Sequence, residues 1–211
     1  MNFNMDLYEK SEAKEFGEFE VLELGGHEVV IMDAREYTSE QSGKTSLKVS
    51  VDIAGKDEQK GFFKKRYDEA KKTDANAKWS SGGVKYLSLS DEQISYLKGF
   101  ITALEKSNPN FKFNLKGKWE QLNNLKIAGQ FGLEEFEKQD GTIGTATKLI
   151  QFRSLDKLNE IKIPKVRKID GTLVDYEEYK NTTQLQSTAT EIFGDKVVEI
   201  TPEMLPFWYK N

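Results

Sequence analysis

The sequence predicts an α+β fold that is mostly β with one main helix, and three observations support this class. In the segment "TSLKVSVDIAG", apolar and polar residues alternate without interruption, as in a half-buried strand. A capping-box pattern at Ser90–Gln93 opens a segment with helical spacing of apolar residues. Asp140-Gly141 is a strong reversal signal between two further strand-like segments.

The first half of the chain contains three predicted strands. Gly25-Gly26 breaks the chain before "HEVVIMDAREYT", an apolar run bounded by turn formers, which predicts the first strand. After the turn "SEQSGK", the second strand places on one face Leu47, Val49, Val51 and Ile53. The segment "QKGFFKKRYDE" is predicted as a third strand that runs into a basic loop.

One helix is predicted at residues 90–107. The Ser90 hydroxyl and the Gln93 side chain can satisfy free amides at its start, and Asn108-Pro109 ends it. One stripe of the helix carries Ile94, Leu97, Ile101 and Leu104. The stripe predicts a structural helix that closes a core.

The last predicted strands are "LKIAGQFGLEEFEK" and "GTATKLIQFRSLDKL", joined by "QDGTIG". Three strands, a helix and two strands follow the order of an OB barrel, a five-stranded fold that often binds oligonucleotides. An α+β sheet covered by one helix has the same local signals. We therefore expect an N-terminal arm (residues 1–20), an OB-like domain (21–163) and a C-terminal extension (164–211) with a linker-like polar start.

Composition narrows the classes of function. The hydrophobic share is 37%, and no apolar run approaches the roughly 18 residues of a membrane span. The acidic N-terminal segment has no signal-peptide pattern, and the absence of Cys excludes disulfides and thiolate metal sites. We expect a cytoplasmic protein with no cofactor and no membrane partner. The net charge of −4 means that any attraction to nucleic acid must be local.

Residues 60–85 have a net positive charge, opposite in sign to that of the whole chain. They contain eight basic and three acidic residues, a local charge of +5, with aromatic residues interleaved. Single-strand binders combine cations that follow phosphates with rings that accept unstacked bases. The predicted nucleic-acid-binding residues are Lys48, Lys60, Phe62, Phe63, Lys64, Lys65, Arg66, Tyr67, Lys71, Lys72, Lys78, Trp79, Lys85, Tyr86 and Arg153. In the competing interpretation, at least one of the two phenylalanines belongs to the core and the lysines are a solvated surface.

The enzymatic alternative is a Mg²⁺-dependent nuclease. Some nucleases hold the metal with a carboxylate and a following Glu-x-Lys, here Asp52 and Glu58-Gln59-Lys60. Glu-x-Lys occurs five times in this highly charged chain, so the match carries little weight. We expect no catalytic residue and no enzymatic activity.

The C-terminal segment carries spaced acidic residues before Leu205-Pro206-Phe207. Here the chain resembles bacterial and phage single-stranded DNA-binding proteins, whose acidic tail closes in a Pro-Phe tip that docks on replication and repair enzymes. The resemblance implies that Leu205, Pro206 and Phe207 bind phage or host replication or recombination proteins. Unlike the family tip, this one continues as "WYKN". The alternative is a C-terminal strand that packs Phe207 on the domain.

The segments "SLKVSVDIAG", "KGFF", "LKGFITALEKSNPNFKF", "LKGKWEQLNNLKIAGQFGLEEFE" and "VRKID" resemble a family found in phages and prophages of Gram-positive bacteria. The family is encoded among replication and recombination functions, and the resemblance implies an accessory role in DNA metabolism. We predict a single-stranded DNA-binding accessory protein, for which a homo-oligomer is possible. The alternative is a regulatory module that binds a host or phage enzyme.

Overall fold

The computed structural model describes residues 20–183, which form a mixed α+β structure with a seven-stranded sheet. The strands are β1 (Gly25–Thr38), β2 (Thr45–Ile53), β3 (Val84–Ser88), β4 (Lys126–Glu137), β5 (Ile143–Arg153), β6 (Val166–Arg167) and β7 (Leu173–Val174). Two helices, α1 (Phe62–Thr73) and α2 (Ile94–Ser107), lie between β2 and β4, and residues 176–183 are also helical. The α+β class is confirmed, with more than the one predicted helix.

The sheet is built mainly from antiparallel pairs. β1 pairs with β2 and β4, β2 pairs with β3, and β4 pairs with β5. The short β6 runs parallel to β4 and pairs with β7. No ladder joins β3 to β5 in the part of the chain that the structure describes. The sheet is therefore not the closed barrel that the order of elements predicts.

The two open edges nevertheless approach each other at the turn before β3. Lys148 Nζ on β5 donates a hydrogen bond to Ser81 Oγ in this turn at 2.6 Å. A Cβ added to Gly82 would lie 2.6 Å from the carbonyl oxygen of Thr147 on β5. The sheet is thus curled, with β3 beside β5.

Most of the predicted strands are confirmed. Leu47, Val49, Val51 and Ile53 are all buried in the core, as their alternation predicts. The predicted final hairpin is formed by β4 and β5. Its turn places Gly141 at φ +81°, and the Asp140 carboxylate accepts the Thr142 amide at 2.9 Å.

The predicted third strand is wrong, because residues 62–73 form α1. Phe63, Tyr67 and Ala70 have the i, i+4, i+7 spacing of one helix face, and Lys, Arg, Glu and Ala favour helix. The buried Asp52 on β2 accepts the backbone N–H of Phe63 at 2.9 Å and that of Lys64 at 3.3 Å. A distant carboxylate therefore satisfies the start of α1.

The predicted helix at residues 90–107 is present as α2, which begins at Ile94 after a single 3-10 turn. The predicted capping box is wrong, because Ser90 makes no side-chain cap hydrogen bond and its hydroxyl instead lies 3.0 Å from the Ser88 hydroxyl. Leu97 and Leu104 are buried as predicted, and Ile94 is 49% exposed. Phe100 replaces it in the core.

The described start of the C-terminal extension belongs to the sheet, since Val166 on β6 is buried in the core. The predicted arm up to residue 19, and the tip residues Leu205, Pro206 and Phe207, lie outside the described residues. Between residues 20 and 183, no helix combines the length and the apolar character that crossing a membrane requires.

Candidate nucleic-acid interface

A bulge in β1 decides which of its residues face away from the core. Ile31 pairs with Val51 and Asp33 pairs with Ser50, so Met32 is an extra residue in β1. An extra residue shifts the side-chain alternation by one position. The bulge therefore turns the residues at positions 33, 35 and 37 onto the outer face of the sheet.

The outer face of β1, β2 and β3 carries a row of three side chains in direct register. Arg35 on β1 is directly opposite Lys48 on β2, and Lys48 is directly opposite Tyr86 on β3. Two cations in direct cross-strand register repel each other. Asp33 partly offsets this repulsion through a 3.3 Å contact with the Arg35 guanidinium. The row favours a bound anion.

Two pairs of aromatic rings accompany this row, and one of them includes Tyr86 itself. Tyr37 and Tyr86 have ring centroids 5.4 Å apart, and Tyr67 on α1 and Trp79 are also 5.4 Å apart. Trp79 Nε1 donates a hydrogen bond to the Val51 carbonyl oxygen at 3.2 Å, which fixes the ring against β2. The Trp79 ring, in the segment before β3, is therefore held against the sheet.

The row and the rings line one open cleft of about 700 Å³, which we call the first cleft. Its charged side chains are three cations, Arg35, Lys48 and Lys78, and one carboxylate, Asp33. The cleft is therefore cationic in a chain whose net charge is −4. Rings and cations that line the same cleft can bind a polyanion with flat, apolar substituents.

A second cleft of about 600 Å³ lies between β3, β5 and α2. Its cations are Lys85, Arg153 and Lys157, and no carboxylate side chain lines it. Burial lowers the pKa of Lys85; Glu134 on β4 opposes the shift and Arg167 on β6 adds to it. Tyr86 lines both clefts, so the two adjoin at β3.

The clefts contain about half of the predicted binding residues. The first cleft is lined by Lys48, Tyr67, Lys78, Trp79 and Tyr86, and the second by Lys85, Tyr86 and Arg153. Phe62 and Phe63 were predicted as base-stacking residues, and for them the prediction is wrong. Each is 2% exposed, because the first turn of α1 enters the core.

The remaining predicted cations are exposed on or near α1 but line neither cleft: Lys60, Lys64, Lys65, Arg66, Lys71 and Lys72. Several already have partners. Lys64 forms a 2.7 Å ion pair with Asp68, which raises the pKa of Lys64. The Arg66 guanidinium lies 4.9 Å from the centre of the Phe62 ring. These cations surround the site rather than form it.

Sequence reasoning missed Arg35 and Tyr37 in the first cleft, and Tyr96 and Lys157 in the second. For Arg35 and Tyr37 the only signal is the bulge, which the sequence does not mark. Tyr96 had a signal, since it stands outside the apolar stripe of α2 and is 74% exposed. An aromatic residue outside the apolar stripe of a helix indicates a ring on the surface, where it can contact a ligand.

Asp52, the first carboxylate of the nuclease alternative, already has other contacts. One oxygen of Asp52 already accepts the amides of α1, and within residues 20–183 no cluster of three metal-ligating side chains occurs. His27, the single histidine, is buried. Its Nδ1 lies 2.7 Å from the Asp57 carboxylate and its Nε2 lies 3.0 Å from the Glu23 carbonyl oxygen.

No model of a known protein family matches the sequence. No curated protein matches it either. The chemistry of the two clefts is therefore the basis for assigning a function.

Proposed function

We propose that this chain binds single-stranded DNA through the first cleft, as a non-enzymatic accessory protein of phage replication or recombination. The observation that carries the proposal is the outer row of the sheet, in which Arg35 and Lys48 stand beside Tyr86. Phosphates would lie against the two cations while bases stack on the exposed rings. Both interactions are available to any base, so the proposed binding depends little on sequence.

Base stacking on the exposed rings favours an unpaired strand over a duplex. Each base stacked on an aromatic ring contributes roughly 1–3 kcal/mol, and this face is available only when the base is unstacked. Tyr86 is 49% exposed and Tyr37 is 43% exposed, so both rings can accept a base without unfolding the sheet. A duplex would offer phosphates to the cations but no free base faces to the rings.

We further propose that the sheet is a partly open OB-like arrangement. Three observations support this. The strands lie in the order β3-β2-β1-β4-β5, and α2 lies between β3 and β4 in sequence. The turn before β3 contacts β5. OB folds bind oligonucleotides on the face of their second and third strands. The first cleft lies on this face, since Lys48 and Tyr86 belong to β2 and β3.

The setting in phage DNA metabolism depends on the resemblance of the sequence to phage proteins. Docking of Leu205, Pro206 and Phe207 on a replication or recombination protein belongs to the same proposal. Deleting residues 205–211 is then expected to leave DNA affinity unchanged. A fall in the melting temperature of the deletion variant would favour the alternative, a terminal strand packed on the domain.

Fluorescence anisotropy with labelled oligothymidylate tests the binding site. Tyr86→Ala is expected to weaken binding about 5- to 150-fold, the equivalent of one lost stack, whereas Tyr86→Phe keeps the ring and the affinity. Lys48→Ala is expected to reduce the steepness of log K against log salt by about 0.7, the value for one phosphate contact on a single strand.

Lys112→Ala is the matched charge control, because the Lys112 side chain is 80% exposed and lines neither cleft. Circular dichroism checks that each variant is folded. Unchanged affinity and salt dependence in both Tyr86→Ala and Lys48→Ala would refute the assigned site. Equal affinity for single- and double-stranded oligonucleotides would refute the proposed preference for an unpaired strand.

A further inference from the structure

We propose that the second cleft binds the continuation of the same strand, with Tyr96 as a stacking residue and Lys157 as a phosphate contact. This inference rests on the proposed function of the first cleft. Sequence reasoning gave α2 a purely structural role, whereas the second cleft has α2 as one of its walls. The site would then extend from the outer face of β1 to the exposed side of α2.

Continuity between the clefts comes from Tyr86. Its ring pairs with Tyr37 in the first cleft, and the residue also lines the second. The cleft walls change at this point from β1 and β2 to β5 and α2. The second cleft, a cavity of about 600 Å³, therefore shares a wall residue with the first.

Charge makes the second cleft the more anion-selective of the two. It is lined by Lys85, Arg153 and Lys157 without a carboxylate, whereas Asp33 partly offsets the cations of the first cleft. Among residues 20–183, none of these three cations has a carboxylate within ion-pair distance. Three cations without such an ion pair, placed along a groove, match the repeated phosphates of a strand.

The rings of the second cleft can accept further bases. Tyr96 is 74% exposed at the start of α2, one turn before Phe100. Phe152 packs against Phe100 with ring centroids 4.8 Å apart and ring planes inclined by 41°, which holds the floor of the cleft in place. Tyr96 thus provides a free face above a rigid floor.

The facing edges of β3 and β5 provide polar groups at the same place. Within the described residues each strand pairs on one side only, β3 with β2 and β5 with β4. Open edges can also accept a peptide strand, since β-augmentation uses such edges. The cations and the absence of a lining carboxylate favour a polyanion, and binding of a peptide strand instead is one outcome of the experiment.

The experiment measures affinity against length for labelled oligothymidylates of about 4 to 16 nucleotides, the range that one OB domain covers. Tyr96→Ala is expected to weaken binding of the longest oligonucleotide about 5- to 150-fold and to leave the shortest that binds unchanged. Lys157→Ala is expected to lower the salt slope by about 0.7 for the long oligonucleotide only. Tyr86→Ala weakens both lengths.

Lys98→Ala is the matched control, because Lys98 is an exposed cation on α2 that does not line the cleft. If Tyr86→Ala weakens binding but Tyr96→Ala and Lys157→Ala leave the long oligonucleotide unaffected, the inference fails while the proposed function stands. The open edges of β3 and β5 would then be available to pair with a peptide strand. If the wild-type chain binds no oligonucleotide of any length, both fail together. If Tyr96→Ala also weakens binding of the shortest oligonucleotide, short strands do not occupy the first cleft alone, which contradicts the inference.

Discussion

The contact between Asp52 and the start of α1 gives the sharpest stability prediction. Asp52 is 4% exposed, and its Oδ1 accepts the amides of Ile53, Phe63 and Lys64 at 2.9, 2.9 and 3.3 Å. Two of these donors belong to the first turn of α1, where no intrahelical acceptor is available. Asp52→Ala removes their acceptor and leaves the Phe63 amide buried.

The magnitude follows from these two donors. Loss of a helix cap costs about 0.5–2 kcal/mol, and a buried donor left without a partner costs about 1–3 kcal/mol. We expect Asp52→Ala to lower the free energy of unfolding by about 2–4 kcal/mol. For a chain of this size, that corresponds to a fall in melting temperature of about 4–16 °C. Asp52→Asn retains an acceptor oxygen, and we expect about half of the loss, because a charged acceptor makes the stronger bond.

Urea unfolding followed by circular dichroism measures the difference in free energy, and a thermal scan measures the melting temperature. The matched control is Asp68→Ala, which removes an exposed carboxylate from α1 and is expected to leave the unfolding midpoint nearly unchanged. An Asp52→Ala variant as stable as the wild type would refute the role of Asp52 as the acceptor for α1.

Two further predictions concern β3 and the turn before it. Gly82→Ala is expected to destabilise the fold by about 1–3 kcal/mol, because its Cβ would lie 2.6 Å from the fixed carbonyl oxygen of Thr147; urea unfolding measures the loss. The affinity of the long oligonucleotide is expected to fall as the pH rises towards the ordinary lysine pKa of 10.5, measured by anisotropy. The fall begins below 10.5 because burial lowers the pKa of Lys85, and only the protonated amine attracts phosphate.

Each of these two predictions has a matched comparison. Gly99→Ala places a methyl group on α2 where no atom outside the adjacent helix backbone lies within 4 Å, and it is expected to stabilise the helix by about 0.5–1 kcal/mol. Lys85→Arg keeps its charge at high pH and is expected to remove the early fall in affinity. A Gly82→Ala variant of unchanged stability would contradict the close approach of β5 to the turn before β3. An early fall that persists in Lys85→Arg would exclude Lys85 as its cause.

Local patterns were sufficient where one physical cause controls the structure. In β2, alternation predicted the buried apolar side chains, because one face of a strand must leave water, but it did not predict that Ser50 and Asp52 on the other face are buried as well. The hairpin of β4 and β5 followed from Asp140-Gly141, since glycine readily adopts the positive φ of that turn. These elements depend on near neighbours in sequence, which the sequence displays directly.

Prediction failed where a distant partner controls the structure. Phe62 and Phe63 are adjacent in sequence, and on a strand they would face opposite sides. They are both buried because α1 begins inside the core, where Asp52 on β2 satisfies its first amides. The predicted basic strand therefore became a helix, and most of its lysines came to lie outside the clefts.

The sequence by itself determined the α+β class, the strand positions of β1, β2, β4 and β5, and a local excess of cations and rings. Tertiary structure decided which of these side chains meet. The bulge at Met32 turns Arg35 and Tyr37 to the outer face, where pairing brings them beside Lys48 and Tyr86. Without the extra residue, alternation would turn both side chains towards the core. Register is set by the pairing of whole strands, so no local pattern in β1 could reveal it.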